Sequence, residues 1–209
     1  MPLYLTEEIK NVGLFSIWKL TENEEELLQL ITLSQEGKHH FATLKNKKRK
    51  KEWLTNRILL NHLLGKDFSI DYLSNGKPIL KEPSFFLSIS HSNDFVVVFI
   101  SRHKETGVDI EKIKENIASL KHKFLLPEEL QSLNTSNPFL LHVYWGAKEA
   151  MYKMYSSYHP LFTEHLSLSD VDCQKGTATG KIMKEDCHKT VNIIFKQIED
   201  NLLVCCFEN

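Results

Sequence analysis

The order of hydrophobic patterns along the chain is the feature that most restricts its fold. Short runs typical of β-strands give way to helical spacing and then to strands, and the second half repeats this series. The strand-like runs cover residues 12–20, 68–73, 77–80, 85–90, 95–101, 107–111, 166–171, 177–183, 190–197 and 202–207. The repetition predicts a duplicated α+β unit, with a small antiparallel sheet in the first half and a strand-rich tail.

Capping signals delimit the helical segments between these runs. The pattern Thr21-x-x-Glu24 predicts a capping box that opens a helix to about Leu33. Gly65 is a suitable residue to end a helix that begins near Lys50. The pair Asn137-Pro138 combines an N-cap with proline at the first helical position, which predicts the start of a long helix. Further helical segments are expected from about residue 35 and over residues 116–124 and 127–133.

Composition limits the classes of function that need to be considered. The chain has 209 residues, of which 42% are hydrophobic, so it is long enough for a substantial core. The formal net charge of −1 excludes general attraction to polyanions, and nucleic-acid binding would need a local basic patch. All four cysteines lie in the last 37 residues without a C-x-x-C pair, which favours buried thiols over disulfides or zinc ligands.

No stretch of the sequence resembles a targeting or membrane segment. The first ten residues lack a basic region followed by an apolar run, and no window approaches the roughly 18 apolar residues of a membrane span. A cytoplasmic protein without a membrane partner is therefore expected.

Two short stretches place carboxylates and lysines where a cation and a polyphosphate would meet. In the extended segment Gly107-Val108-Asp109-Ile110-Glu111, Asp109 and Glu111 share one face of the strand. On the later helix, Glu149 and Lys153 are four residues apart and share one side. Oxygen-only ligands suit Mg²⁺ or Mn²⁺ better than zinc. Taken one at a time, the first pair is more typical of solvated acids on an edge strand, and the second of a surface ion pair.

Three other segments carry weaker signals. Ser88 to His91 brings two hydroxyls and an imidazole to a strand end, where a phosphate is readily held, although a histidine there is more often structural. The turn Asn75-Gly76-Lys77-Pro78 fixes a lysine at the start of a strand and is otherwise an ordinary hairpin signal. The run from Lys45 to Lys51 has six cations in seven residues and is typical of a solvated helix start or of a polyanion-binding patch.

Taken in order, these segments resemble the 4′-phosphopantetheinyl transferases of the two-half type, which activate carrier proteins. The resemblance rests on four motifs between Arg57 and Lys153, in this order: G-K-P, S-H-S, G-V-D-I-E and W-x-x-K-E-A-x-x-K. It implies an α+β fold of two similar halves with antiparallel sheets, related by a pseudo-twofold axis with the cofactor in the cleft between them. The halves are expected to be residues 1–103, with cofactor contacts, and residues 104–209, with the metal site and the catalytic helix.

The resemblance also implies an activity and a set of residue roles. The chain would transfer the phosphopantetheine arm of coenzyme A to a serine of an apo acyl or peptidyl carrier protein, releasing adenosine 3′,5′-bisphosphate. Mg²⁺, or alternatively Mn²⁺, would be held by Asp109, Glu111 and Glu149. Glu149 would take the serine proton, directly or through a metal-bound water, and Lys153 would stabilise or protonate the leaving phosphate. Residues expected to contact coenzyme A are Arg57, Lys77, Ser90, His91 and Lys153, with Lys148 in a positioning role. Of these, Lys77, Ser90 and His91 would lie around the 3′-phosphate of its adenosine.

Several alternatives stay open at this point. Lys47, Lys48 or Lys51 is each a candidate phosphate contact, and none is singled out. The basic run would support a nucleic-acid or acidic-protein binding module in which the carboxylates are structural, and a third reading is a protein that binds coenzyme A without turnover. Because one chain supplies both halves, a monomer without a nucleic-acid partner is expected.

Overall fold

The computed structural model of the protein describes residues 3–65, 68–80 and 85–209. The first half contains strands β1 (Leu3–Ile9), β2 (Gly13–Lys19), β3 (Ile70–Tyr72), β4 (Pro78–Leu80), β5 (Phe86–Ser92) and β6 (Phe95–Ser101), with helices α1 (Glu24–Gln29), α2 (Gln35–Thr43) and α3 (Lys47–Leu64). The second half contains β7 (Thr106–Lys112), a 3₁₀ segment (Glu115–Lys123), α4 (Pro127–Ser132), α5 (Pro138–Met154), a 3₁₀ turn (Ser156–Tyr158), β8 (Leu166–Asp172), β9 (Thr177–Lys184), β10 (Cys187–Ile198) and β11 (Asn201–Glu208).

All strand pairs are antiparallel, and each half has its own main sheet. The first sheet has the order β1-β2-β6-β5 and the second the order β7-β11-β10-β9-β8, while β3 and β4 form a separate hairpin. Each main sheet is covered by one long helix, α3 in the first half and α5 in the second. The predicted α+β fold with two similar antiparallel halves is confirmed.

Three hydrophobic clusters hold these layers together. One lies between α3 and the first sheet, where Trp53 and Leu54 pack with Val96 and Val98. The second lies between α5 and the second sheet. The third joins strands of both main sheets, and its members include Phe15, Phe99, Val108, Ile110 and Cys205. The two sheets are therefore pressed together by apolar burial, with a long helix on the outer side of each.

Two capping predictions are confirmed at the ends of the long helices. Gly65 ends α3 with a backbone φ of 68°, a left-handed conformation that glycine adopts without a Cβ penalty. Asn137 caps α5 by accepting a hydrogen bond from the Leu140 N–H, with Pro138 next to it. The direction and start of the helix that carries Glu149 are thus set by local sequence.

Two local predictions are wrong. The capping box of α1 is formed by Asn23 and Glu26, not by Thr21 and Glu24, and the helix ends at Gln29. Asparagine is a stronger N-cap than threonine, and it brings three glutamates into the first turn, where the helix dipole favours negative charge. Strand β1 was not predicted, because it is an edge strand with mostly exposed residues and pairs only with β2.

Cysteine burial agrees with the sequence in three cases of four. Cys187, Cys205 and Cys206 are buried free thiols, whereas Cys173 is an exposed one. Among the helices of the described residues, none combines the length and apolar character needed to cross a membrane.

Candidate active site

The edges of the two main sheets meet where β5 of the first half runs beside β7 of the second. These two strands are not paired by backbone hydrogen bonds as neighbours in one sheet. Instead, serine side chains of β5 accept hydrogen bonds from backbone N–H groups of β7. The three bonds run from Val108 to Ser88 Oγ at 2.9 Å, from Ile110 to Ser90 Oγ at 3.3 Å and from Lys112 to Ser92 Oγ at 3.0 Å. This serine ladder brings the S-H-S and D-x-E motifs to one place.

Asp109 is the buried centre of this junction, with 2% of its surface exposed. Its Oδ1 accepts a hydrogen bond from Ser90 Oγ at 2.9 Å and an ion pair from Lys153 Nζ at 2.7 Å. Its Oδ2 is buried without a hydrogen-bond partner. A Cβ placed on Gly146 of α5 would lie 3.6 Å from that oxygen and 2.9 Å from Val204 Cγ2, so α5 packs closely against the second sheet at this point. A buried carboxylate oxygen without a partner is costly unless a ligand completes it.

Two further carboxylates surround Asp109. Burial raises the pKa of Glu111 to about 7, and the charges of Asp109 and Glu149 act in the same direction while Lys153 opposes them. The pKa of Glu149 is likewise raised by burial and by Asp109, again opposed by Lys153. Both shifts have the same main cause, which is burial of acids close to one another, while Lys153 opposes both shifts and Lys114 opposes that of Glu111. The site therefore carries more negative charge than its own residues neutralise.

Lys153 is the cation of this cluster. Its Nζ donates to Ser90 Oγ at 2.7 Å, to Asp109 Oδ1 at 2.7 Å and to the Val108 carbonyl at 3.1 Å. Lys153 reaches β7 because α5 lies directly on that strand. A Cβ on Gly107 would be 2.0 Å from the Ala150 carbonyl oxygen, so only glycine permits this approach.

His91 on β5 belongs to a second, cationic cluster formed with α3. Arg49 Nη1 donates to His91 Nε2 at 2.8 Å, and Glu52 Oε2 lies 3.5 Å from the same nitrogen. Arginine is only a donor, so Nε2 accepts and the imidazole is neutral. Burial lowers the pKa of His91, with Arg49 and Lys153 adding to the effect and Glu52 opposing it. Sequence reasoning missed Arg49 and Glu52 as site residues, because a run of six cations does not mark one of its members.

Lys148 does not face the carboxylates. Its side chain is fully buried and donates to Glu129 Oε2 at 2.5 Å, to the Phe124 carbonyl at 2.7 Å and to the Phe162 carbonyl at 3.1 Å. Burial lowers the pKa of Lys148, and the charge of Glu129 opposes this. Lys148 thus ties α5 to the 3₁₀ segment, to α4 and to the loop after α5.

The remaining predicted contacts lie in other surroundings. Lys77 Nζ donates to the Met154 carbonyl at 2.7 Å and pairs with Glu105 at 3.0 Å. Arg57 lies 3.4 Å above the ring of Trp53 and lines a cavity of about 450 Å³ between α2, α3 and β3. Burial lowers its pKa to about 10. The structure brings together Ser90, His91, Asp109, Glu111, Glu149 and Lys153, but it does not bring Arg57 to the carboxylates.

The acidic cluster fits a hard divalent cation by its chemistry. Its donors are carboxylate oxygens alone, it has surplus negative charge, and Asp109 Oδ2 is buried without a hydrogen-bond partner. Among the described residues, no three His, Cys, Asp or Glu side chains lie close enough together to hold a metal ion. The carboxylate oxygens therefore do not surround one point in this structure. A cation would have to draw Glu111 and Glu149 toward Asp109.

Comparisons with known proteins agree with this arrangement. Residues 105–206 match the family model described as the 4′-phosphopantetheinyl transferase superfamily. A 4′-phosphopantetheinyl transferase of Bacillus pumilus is 28% identical over 114 residues, covering 48% of each chain. Enterobactin synthase component D of Salmonella austin is 31% identical over 137 residues, covering 63% of this chain and 56% of that one. The transferase AcpT of Escherichia coli K12 is 37% identical over 67 residues, or 32% of this chain and 34% of that one.

These matches are partial in length. The chain spans from about a third to just over half of the curated relatives that it matches. The matched family region nevertheless runs from β7 to β11 and includes Asp109, Glu111, Glu149 and Lys153.

Proposed function

We propose that this chain transfers the 4′-phosphopantetheine arm of coenzyme A to a carrier-protein serine, since residues 105–206 match the model of the 4′-phosphopantetheinyl transferase superfamily. The acceptor would be an apo acyl or peptidyl carrier protein, and adenosine 3′,5′-bisphosphate would be released. The observation that carries the proposal is the buried, unpartnered Oδ2 of Asp109, surrounded by Glu111, Glu149 and Lys153.

The metal in this proposal is Mg²⁺, with Mn²⁺ as the alternative. Asp109, Glu111 and Glu149 would hold it, since hard carboxylate oxygens suit these ions. When bound, the ion supplies positive charge that neutralises the pyrophosphate of coenzyme A.

Glu149 is the proposed proton acceptor for the carrier serine. Burial raises the pKa of Glu149 toward neutral pH, and a general base is most effective when its pKa lies near the working pH. Its position on α5 follows from the Asn137 cap and from the close packing at Gly107. The helix therefore presents the base at a fixed place beside the other two acids.

Lys153 is proposed to stabilise the leaving phosphate. Its ammonium group has three donors, and all three are used by Ser90, Asp109 and Val108 in this structure. A phosphate oxygen would replace one of these acceptors. Preorganised charge of this kind, rather than covalent chemistry, is the main resource of phosphoryl-transfer sites.

The cationic cluster on α3 is the proposed site for the 3′-phosphate of coenzyme A. His91 was predicted for this role from the resemblance, and its hydrogen bond to Arg49 adds a guanidinium suited to phosphate oxygens. Arg57 and Lys77 remain predicted contacts to coenzyme A. In this structure Arg57 interacts with Trp53 and Tyr72. Lys77 interacts with Glu105 and Met154.

The division of labour between the halves forms part of the proposal. Residues 1–103 would supply the contacts to the cofactor phosphate, and residues 104–209 the metal site and catalytic helix. Both sides of the junction come from one chain, which supports action as a monomer. The free thiols support a reducing, cytoplasmic location.

The basic run gives the binding-module alternative little support. Lys48 and Arg49 pair with Glu52, Lys50 pairs with Glu24, and Lys51 donates to the Glu22 carbonyl. The acids that pair with these cations lower the net positive charge of the run, which weakens its attraction for a nucleic-acid backbone. We therefore propose no nucleic-acid partner.

Intact-mass measurement of a carrier protein tests the proposed function. The purified chain is incubated with an apo carrier, coenzyme A and Mg²⁺, with parallel reactions in EDTA and with the variants Asp109→Asn and Glu149→Gln. We expect one phosphopantetheine on the carrier serine, lost in EDTA and in both variants but kept in Glu185→Gln. Glu185 is an exposed acid in the turn between β9 and β10 and controls for removal of one charge.

Three results would contradict the proposal. Transfer that persists in EDTA would exclude the metal role, and near-normal transfer by both variants would exclude the site. Failure to modify several carriers, with coenzyme A still raising the melting temperature of the protein, would favour a binder without turnover.

A further inference from the structure

We propose that Ser90 is a positioning residue, which fixes Asp109 and Lys153 so that one oxygen of Asp109 is held and the other faces the cation site. The inference rests on the function proposed above. It differs from the role that the sequence resemblance implies for Ser90, which is direct contact with coenzyme A.

The first argument is the hydrogen-bonding capacity of the Ser90 hydroxyl. A serine hydroxyl can donate one hydrogen bond and accept two. Ser90 Oγ donates to Asp109 Oδ1 at 2.9 Å and accepts from Lys153 Nζ at 2.7 Å and from the Ile110 N–H at 3.3 Å. The hydroxyl is therefore saturated by the protein. To contact a ligand, it would have to give up one of these three partners.

The second argument concerns the two oxygens of Asp109. Both of its bonds, from Ser90 and from Lys153, end on Oδ1, whereas Oδ2 is buried and has no partner. A carboxylate held by one oxygen cannot rotate without breaking both bonds. Ser90 and Lys153 thus hold the carboxylate so that Oδ2 keeps no protein hydrogen bond and stays available to the proposed cation.

The third argument is that Ser90 acts across the two halves. It lies on β5 of the first sheet, whereas Asp109 and Lys153 belong to β7 and α5 of the second half. It is 6% exposed, so water does not compete for its hydroxyl. The first half therefore contributes to the geometry of the acidic cluster through one side chain.

The serine ladder supplies a matched control. Ser88 lies two residues before Ser90 on β5 and is 3% exposed. Its Oγ accepts a hydrogen bond from the Val108 N–H at 2.9 Å. Among the hydrogen bonds of the described residues, none joins the Ser88 side chain to Asp109 or Lys153. Ser88→Ala therefore removes an equivalent strand-joining bond and leaves the acidic cluster intact.

Steady-state kinetics with Ser90→Ala, Ser90→Thr and Ser88→Ala form the first test. We expect Ser90→Ala to lower kcat between about 10-fold and 100-fold, because a displaced catalytic group loses alignment, with the KM for coenzyme A nearly unchanged. Ser90→Thr keeps the hydroxyl and should recover most of kcat, and Ser88→Ala should retain it. A loss confined to KM, or equal losses in Ser90→Ala and Ser88→Ala, would overturn the inference.

A thermal double-mutant cycle tests the same contact without activity. Melting temperatures are measured for Ser90→Ala, Lys153→Met and the double variant, and again with Ser88→Ala in place of Ser90→Ala. We expect the first cycle to depart from additivity by about 2–4 °C, and the second cycle to be additive. Additivity in both cycles would overturn the inference.

The two tests separate this inference from the proposed function. If the wild-type chain modifies no carrier protein, the proposed function fails, and the thermal cycle still decides whether Ser90 is coupled to Lys153. If the wild type transfers normally and the first cycle is additive, the function stands and the positioning role is wrong.

Discussion

Helices α3 and α5 have corresponding places in the two halves, yet they present opposite charge to the junction between them. Each covers the outer face of its sheet and directs one acid and one cation inward, Arg49 and Glu52 from α3 and Glu149 and Lys153 from α5. On the α3 side, Glu52 is surrounded by Lys48, Arg49 and His91. On the α5 side, Lys153 is surrounded by acids.

This difference shows how two similar halves can present side chains of opposite charge to one junction. A cation-rich wall suits an anionic phosphate, and an acid-rich wall suits a metal ion. Each half has an apolar cluster between its sheet and its long helix, so the contrast between the two walls lies in polar side chains at the junction. Each prediction below probes one side of this contrast.

Removal of the acid from α5 should have the largest effect. We expect Glu149→Gln to lower kcat by about 10²–10⁴-fold, the usual contribution of a general base. The matched change on α3, Glu52→Gln, should act mainly on the KM for coenzyme A. Carrier-modification kinetics measure both, and equal losses of kcat would remove the distinction between the two walls.

Loss of the buried lysine of α5 should reduce stability more than activity per folded molecule. Lys148→Met leaves Glu129 buried without its cation, so we expect the free energy of unfolding to fall by about 3–5 kcal/mol. The double variant Lys148→Met/Glu129→Gln should recover part of this loss. Urea denaturation checks both values, and a loss below about 1 kcal/mol would show that solvent reaches the pair.

Removal of the arginine from α3 should weaken cofactor binding. We expect Arg49→Ala to raise the KM for coenzyme A about 10-fold, as for loss of one charge-assisted hydrogen bond, with kcat little changed. The KM for 3′-dephospho-coenzyme A, which lacks the phosphate in question, should not respond to this variant. Lys50→Ala is the control, since Lys50 pairs with Glu24 instead. Equal rises in the KM for both cofactors would mean that Arg49 does not contact the 3′-phosphate.

The smallest effect concerns pH and Glu111. Its pKa is raised from 4.5 to about 7 in the folded protein, so ionisation opposes folding. In EDTA, the free energy of unfolding of the wild type should therefore fall as pH rises between these values. Glu111→Gln should remove that contribution and be more stable than the wild type at pH 8, by less than about 1 kcal/mol after solvent screening.

Denaturation curves at pH 5 and pH 8 measure the effect of Glu111. The exposed Glu185→Gln should follow the wild type at both values. Greater loss of stability at pH 8 for Glu111→Gln would mean that the ionised carboxylate is favourably paired.

Local signals predicted those parts of the fold that depend on a few neighbouring residues. The Asn137 cap and Gly65 termination follow from backbone chemistry within one helical turn. Prediction failed for α1, where two capping residues competed, and for β1, where exposure removed the alternation that marks a strand. The contact of Arg49 with His91 could not be predicted for another reason, because the two residues are 42 positions apart in the sequence.

The sequence by itself determined the two-half α+β organisation, the D-x-E strand and the helix that carries Glu149 and Lys153. These depend on periodicity, capping and motif spacing, which are properties of short segments. The tertiary structure alone decided that Lys148 is a buried tie, that Arg57 lies in its own cavity, and that Ser90 joins Asp109 to Lys153. Such pairings arise only when apolar burial brings distant segments together, and their polar groups must then find partners within reach.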